Sequence, residues 1–249
     1  LSQQLFTAEL DRVREQAIRV DRTPDRRRLY SRDGPVRGPV PVWLLDAWEE
    51  AYDHVLLDSL LYELIVYASG LDVVFTAGDI YLRPEILAEN FFFYDDLSPD
   101  ELQEFLFEPT PVPELLPAAP LRYRQQEIPV VIQRYGLPLD DPLRAEASLI
   151  AVLNAEELQG RLSALVTDRN GYAAVLSRSG QVIVSVAPGD ISVPEIHERM
   201  TATEGSFAVN VDGSSYTAAY VRDPRVGIAH VVLMPTRIYL QQAFRLQLV

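Results

Sequence analysis

Between Asn170 and Pro235 the chain alternates short apolar runs with tight-turn residues. Asn170-Gly171 precedes the first run, Ser179-Gly180 separates it from the second, and Asp212-Gly213 leads into Ser214-Ser215-Tyr216. A long apolar run then ends at Met234-Pro235-Thr236. Gly, Asn, Asp and Ser at such spacing join neighbouring antiparallel strands, because they adopt the backbone angles that hairpin turns demand. The stretch therefore predicts strands over 172–176, 182–186, 206–211, 215–221 and 226–233, with a helix opening at Ser192 and Glu195 at its third position. Helices inserted between such strands cover one face of the sheet and leave the other for a ligand, a partner or solvent.

Residues 39–153 predict a second sheet domain upstream of it. Leu44, Leu45, Trp48, Ala51, Tyr52, Val55 and Leu56 form the apolar stripe of a helix. A strand over 60–68, the Ser69-Gly70 turn and a strand over 72–75 read as a hairpin. Phe91 to Tyr94 is the densest aromatic cluster, and Ser98, Pro99 and Glu101 mark the start of a helix reaching Phe107. The proline-rich run from Pro109 to Pro120 reads as a surface excursion, since proline lacks the N–H that a helix or central strand needs. Strands follow over 127–135, placed near an edge by Pro129, and over 147–153, after which Asn154 caps a helix to about Leu165. A domain boundary falls there, with a second domain over 154–235.

The two ends are helical in pattern. Phe6, Leu10, Val13, Ala17 and Val20 step by four and three, the seam of a long helix or coiled coil, followed by a loop rich in Gly and Pro. Residues 1–38 thus predict a stalk helix and linker, and 236–249 a short terminal helix with Ile238, Ala243 and Phe244 on its apolar face. The fold class is α+β. Starting at Leu1 without Met and ending inside an apolar helical pattern, the chain reads as part of a longer protein.

Charge narrows the function classes. A net charge of -14 opposes nucleic acid, whose binding needs a basic footprint. Residues 1–38 hold 9 of the 22 basic residues, all of them Arg, against 6 acidic ones; Asp21, Asp25 and Asp33 interleave with Arg26, Arg27 and Arg28 as on a solvated helix face. With no Cys there is no disulfide, thiolate nucleophile or thiolate metal site.

The layout resembles the extracytoplasmic double Cache (dCache) sensor of bacterial transmembrane receptors, such as two-component histidine kinases and membrane-tethered regulators of the AraC type. Asn170-Gly171-Tyr172, Ser179-Gly180-Gln181-Val182-Ile183, Asp212-Gly213 and Val232-Leu233-Met234-Pro235 match its strand-turn order in the membrane-proximal module. Leu61 to Tyr67, followed by Asp72 to Thr76, looks like the first hairpin of the distal one. The resemblance implies two PAS-like domains, a stalk leaving one membrane segment, a terminal helix returning to the membrane, and a place on the extracellular face. It also implies a small-molecule ligand in the distal domain and a homodimer through the first helix. Amino-acid-binding members carry an Arg followed closely by Trp-Tyr; that run is absent here, so an amino-acid ligand is not implied.

No catalytic or metal constellation stands out. His54, His197 and His230 fall in three predicted elements, and His197-Glu198-Arg199 lacks the second His of a helical zinc motif. Asp95-Asp96 and Asp140-Asp141 read as turn and cap residues. No nucleophile elbow, P-loop or dinucleotide fingerprint occurs, and no cofactor is expected. Tyr67, Phe75, Tyr81 and Tyr94, with Arg134 as cationic anchor, are the expected ligand-binding set: an aromatic-lined pocket for a carboxylate or sugar. Two other readings stay open. One is a module sensing a protein or cell-wall partner through the proline-rich run and exposed aromatics; the other is a hydrolase with residues converging from afar.

Overall fold

The computed structural model describes residues 13–15, 18–19, 21–22, 34–52, 59–108, 110–139, 141, 145–164, 166, 171–186, 193–211, 213–223 and 227–238. They fall into two compact units, one up to Glu156 and one from Glu157 onward. Most of the expected stalk helix lies outside the described residues; 13–15, 18–19 and 21 are helical, and Val13 of the seam is buried. The terminal helix is described only over 236–238.

The first unit opens with α1 (Val42–Tyr52) and continues through β1 (Leu61–Ala68), β2 (Val73–Phe75), β3 (Ile80–Tyr81), α2 (Pro84–Asn90), β4 (Phe92–Tyr94), α3 (Pro99–Phe107), β5 (Glu114–Tyr123), β6 (Gln126–Leu137) and β7 (Ala147–Asn154). On α1 the buried stripe is narrower than expected: Leu44 and Ala47 are buried, but Leu45 is 44% exposed. Trp48 Nε1 donates to the Thr76 carbonyl at 2.8 Å and Tyr52 Oη to the Leu64 carbonyl at 2.7 Å, so the helix is tied to the sheet. Val55 and Leu56 lie outside the described residues.

All seven strands join one antiparallel sheet in the order β3-β2-β1-β7-β6-β5-β4. Every residue of β7 except Asn154 is buried, which means both faces of the central strands are covered, as their continuous apolar sequence requires. The helix start at Ser98 forms as expected. Its hydroxyl accepts from the Glu101 N–H, and the Glu101 carboxylate accepts from the Ser98 N–H at 2.9 Å.

Two expectations are corrected. The run from Pro109 to Pro120 is not wholly a surface excursion, because β5 includes Pro117 and Pro120. Likewise β6, with Pro129, is third from the edge, not beside it. The sheet tolerates these prolines through register. Pro120 stands opposite Pro129, and the Pro120 carbonyl accepts from the Asp95 N–H on the far side of the strand. Both ring nitrogens therefore point away from the β5–β6 ladder and no bond between these strands is lost. Pro117 falls in the register shift between Leu116 and Ala119. Among the described residues only 121–123 of β5 pair with β4, while the Pro120 and Pro117 carbonyls accept from the Asp95 N–H and the Tyr94 hydroxyl.

The second unit contains most of α4 (Ala155–Ser163), then β8 (Tyr172–Ser177), β9 (Val182–Val186), α5 (Val193–Glu198), β10 (Glu204–Val211), β11 (Ser214–Asp223) and β12 (Ile228–Pro235). Its antiparallel order is β10-β11-β12-β8-β9. Here too an expectation changes: Tyr172 to Leu176 are buried without alternation, so the inner strand β8 is covered on both faces. Set beside the first unit, the pattern repeats. In each, the opening strand pairs with its hairpin partner on one side and with the unit's last strand on the other, β1 with β7 and β8 with β12. Two mostly antiparallel sheets with a few helices, each closed by pairing first strand with last, make a PAS-like α+β architecture.

Candidate functional site

Register decides which of the expected residues share a face of the first sheet. Tyr81 pairs with Val74, Val74 with Tyr67, Tyr67 with Ser148, and Ser148 with Gly136. Residues paired across strands point to the same side, so these five form one row. Two residues along, Ile65, Ile150, Arg134 and Glu114 form a parallel row on the same side. Tyr94 joins the core cluster on this face with Tyr67, Phe92, Phe105 and Tyr123. Phe75 does not: it pairs with Val66, one residue out of step with Tyr67, and is buried on the opposite face.

The aromatic members differ in their surroundings. Tyr67 is buried, its ring 5.0 Å from Phe107, and its hydroxyl reaches Asp72 Oδ1 at 3.3 Å. Burial and the Asp72 charge push that hydroxyl up to about 12, so it remains a donor at neutral pH. Tyr94 donates to the Pro117 carbonyl and is raised further, again by burial. Tyr81 is half-buried, with Phe91 6.1 Å away.

Arg134 is a clasp before it is an anchor. Its Nη1 donates to the carbonyls of Phe105 and Glu108, the latter at 2.8 Å, and its Nη2 pairs with Glu114. Helix α3 has no basic residue in its last turn, and this guanidinium from the sheet supplies the positive charge that its C-terminus lacks. The guanidinium also stacks 4.3 Å from the Phe105 ring centroid. What is left over is Nε, which is buried without a hydrogen-bond partner. Ser148 Oγ, on the adjacent row, is likewise buried and unpartnered. Gly136 completes the arrangement, because a Cβ there would stand 2.0 Å from the Thr110 carbonyl oxygen; only glycine lets the chain after α3 cross so close above the row.

Sequence reasoning passed over Ser148 and a second polar residue of this face, Glu63. Glu63 is 5% exposed; its carboxylate accepts from the N–H groups of Leu64 at 2.9 Å and Ala77 at 3.0 Å and from the Tyr123 hydroxyl at 3.2 Å. Burial raises its pKa, the three hydrogen bonds pulling the other way. It thereby ties β1 to the β2–β3 turn and to β5. A polar residue interrupting an apolar strand was the available signal in both cases.

Among the described residues no group of three or more His, Asp or Glu is placed to hold a metal ion. His230 is buried, and desolvation lowers it to about 4, with the Asp223 charge opposing that shift.

No protein-family model matches the chain, and no curated protein does. Among solved structures it is similar to the extracellular domain of a protein assigned as a histidine kinase, rpHK1S-Z16, with 11% identity, 78% of this chain and 84% of that one covered, and a TM-score of 0.47. The periplasmic sensory domain of the Campylobacter jejuni chemoreceptor Tlp1 gives 12% identity, 78% of each chain covered and a TM-score of 0.45. An extracellular ligand binding receptor from Desulfohalobium retbaense gives 14% identity over 93% of this chain and 38% of that one, with a TM-score of 0.47. The first two of these solved structures are thus an extracellular domain and a periplasmic sensory domain.

Proposed function

We propose that the chain is the extracytoplasmic ligand-sensing part of a bacterial transmembrane receptor, a two-component sensor kinase or a similar regulator, and that it binds a small molecule on the first unit. One observation carries this reading. Among the described residues Ser148 Oγ and Arg134 Nε, both buried donors, lie without partners on neighbouring rows of one sheet face, Ser148 in register with Tyr67. A buried polar atom left unpaired costs about 1–3 kcal/mol, so two on one face call for an acceptor that the described residues do not supply. A carboxylate or a sugar oxygen supplies it. Tyr67 and Ser148 orient the ligand, half-buried Tyr81 borders it, Tyr94 packs the floor, and Arg134 contributes Nε while holding α3 in place. Phe75 serves the core of the opposite face.

Tethering to the membrane on its extracellular side and pairing of two copies through the N-terminal helix belong to the same proposal. Signalling requires the ligand to bind two arrangements of the receptor with different affinity, since equal binding shifts nothing. The test is a thermal-shift screen of the chain against organic acids, amino acids, sugars and oligosaccharides. At about a hundred times its dissociation constant a true ligand adds roughly 2.7 kcal/mol. The gain should shrink in Tyr67→Phe and Ser148→Ala, which keep the packing. A hit indifferent to both substitutions, or no hit from any class, would overturn the placement of the site.

A further inference from the structure

In the second unit, pairing of β8 with β12 sets Ser177 opposite Ile228 and brings the β8–β9 turn beside Gly227. Between them and α5 lies a cleft of about 190 Å³, whose polar lining is Ser177, Arg178, His197, Arg222 and Asp223. We propose that this cleft binds an oxyanion, the carboxylate or phosphate group of a small solute.

The geometry is built around the cationic side chains. Gly227, at φ 74°, lies beside Arg178, whose Nε would be in ordinary contact, 3.4 Å, with an added Cβ. Gly180, at φ 85°, makes room for His197, whose Cγ would be 2.7 Å from an added Cβ. Both turn glycines supply the left-handed conformation, and Gly180 also clears space for a cleft residue. Ser177 and Ser179 share a hydrogen bond of 2.8 Å, which fixes the Ser177 hydroxyl at the rim.

Charge gives the cleft its direction. The chain carries 36 acidic residues against 22 Arg, and other arginines spend their charge within it: Arg83 on Glu85, Arg124 on Asp79, Arg134 on Glu114. Among the described residues, the guanidinium groups of Arg178 and Arg222 make no ion pair or hydrogen bond. Two like charges facing one concave surface repel, and an oxyanion between them turns that repulsion into paired, charge-assisted hydrogen bonds. The acidic member, Asp223, also borders the cleft, so an anion is held by the two guanidinium groups against one carboxylate. Asp223 follows Arg222 on β11, is buried, and its charge acts on His230. Arg222, paired with Ala229, stays on the face of α5.

The inference is independent of the ligand site on the first unit and fails separately from it. Isothermal titration calorimetry on the whole chain, in a phosphate- and carboxylate-free buffer at fixed ionic strength, tests it with inorganic phosphate, succinate and sodium chloride. Saturable one-to-one binding of phosphate or succinate, with chloride silent, is the expected result, and the arm that saturates names the source of the oxyanion. Arg178→Met and Arg222→Met should each weaken it roughly tenfold, as the loss of one charge-assisted bond implies, and the double variant should abolish it. Arg83→Met should leave it unchanged. Ser177→Ala gives a gentler check should an Arg variant lose thermal stability without anion. Absence of saturable binding in both arms, or binding that persists in a folded double variant, would overturn the proposal.

Discussion

His230 offers the sharpest test of the second unit's interior. It sits in β12 between Val221 of β11 and Val175 of β8, is 5% exposed, and titrates near 4 in place of 6.5 because burial disfavours the imidazolium. The folded pKa is depressed, so between 6.5 and about 4 the unfolded chain holds the proton that the folded one refuses. Stability from this group is complete above 6.5 and declines as pH falls, reaching its full loss below about 4. A shift of that size corresponds to about 3 kcal/mol. Other groups titrate over the same range, so the measurement is a difference: wild type against His230→Gln, which cannot take up the proton.

Urea unfolding should be followed by hydrogen exchange of the β8, β11 and β12 peptides at several pH values. Tryptophan fluorescence is no substitute, since both tryptophans, Trp43 and Trp48, belong to the first unit. The stability difference, wild type minus variant, should fall by about 1.4 kcal/mol per pH unit through most of this range and flatten on either side. Asp223→Asn should enlarge the total fall, because the Asp223 charge is what partly supports the imidazolium. A difference that does not vary with pH would refute the argument, for it would mean that His230 accepts its proton in the folded chain as readily as in the unfolded one.

Gly136→Ala places a Cβ 2.0 Å from the Thr110 carbonyl and should cost the first unit more than about 3 kcal/mol, read from the tryptophan-monitored urea midpoint. Glu63→Ala strips acceptors from the Leu64 and Ala77 N–H groups and should cost about 2–4 kcal/mol by the same measurement. Because its folded carboxyl is raised from 4.5, the stability Glu63 contributes is fully present below 4.5 and lost as pH rises through the raised value; Glu63→Gln should remove that dependence. Ser98→Ala breaks the capping box of α3 and should cost about 1 kcal/mol, seen as faster exchange of the Glu101 amide.

What the sequence made legible, and what it hid, divides along a physical line. Turn chemistry and apolar runs act locally, so the strands around Ser69-Gly70, Ser179-Gly180 and Asp212-Gly213 and the helix start at Ser98 could be read directly. Strand β5 was hidden because a proline's tolerance depends on which side of the strand its nitrogen faces, and that is set by the partner strand. Helix α2, seven residues with only Pro84, Leu87 and Ala88 buried, has too short a stripe to stand out. Register governs the site in the same way. Tyr67 and Phe75 read as one hairpin's aromatics, yet the pairing of Tyr67 with Val74 sends Phe75 to the other face.

Arg134 shows the limit most clearly. Its charge was visible, but the carbonyls it caps belong to α3, 26 to 30 residues earlier in the chain, and no local pattern links them. The Nη atoms of Arg134 hold the end of α3 while its Nε is buried and unpartnered, so a ligand at the proposed site that reached Nε would be coupled to the seating of that helix. Such a ligand would either draw the guanidinium away from the Phe105 and Glu108 carbonyls or, accepting from Nε where it stands, fix the side chain on them. Either way such a ligand would favour one position of α3 over another, the unequal preference that the proposed sensing role requires.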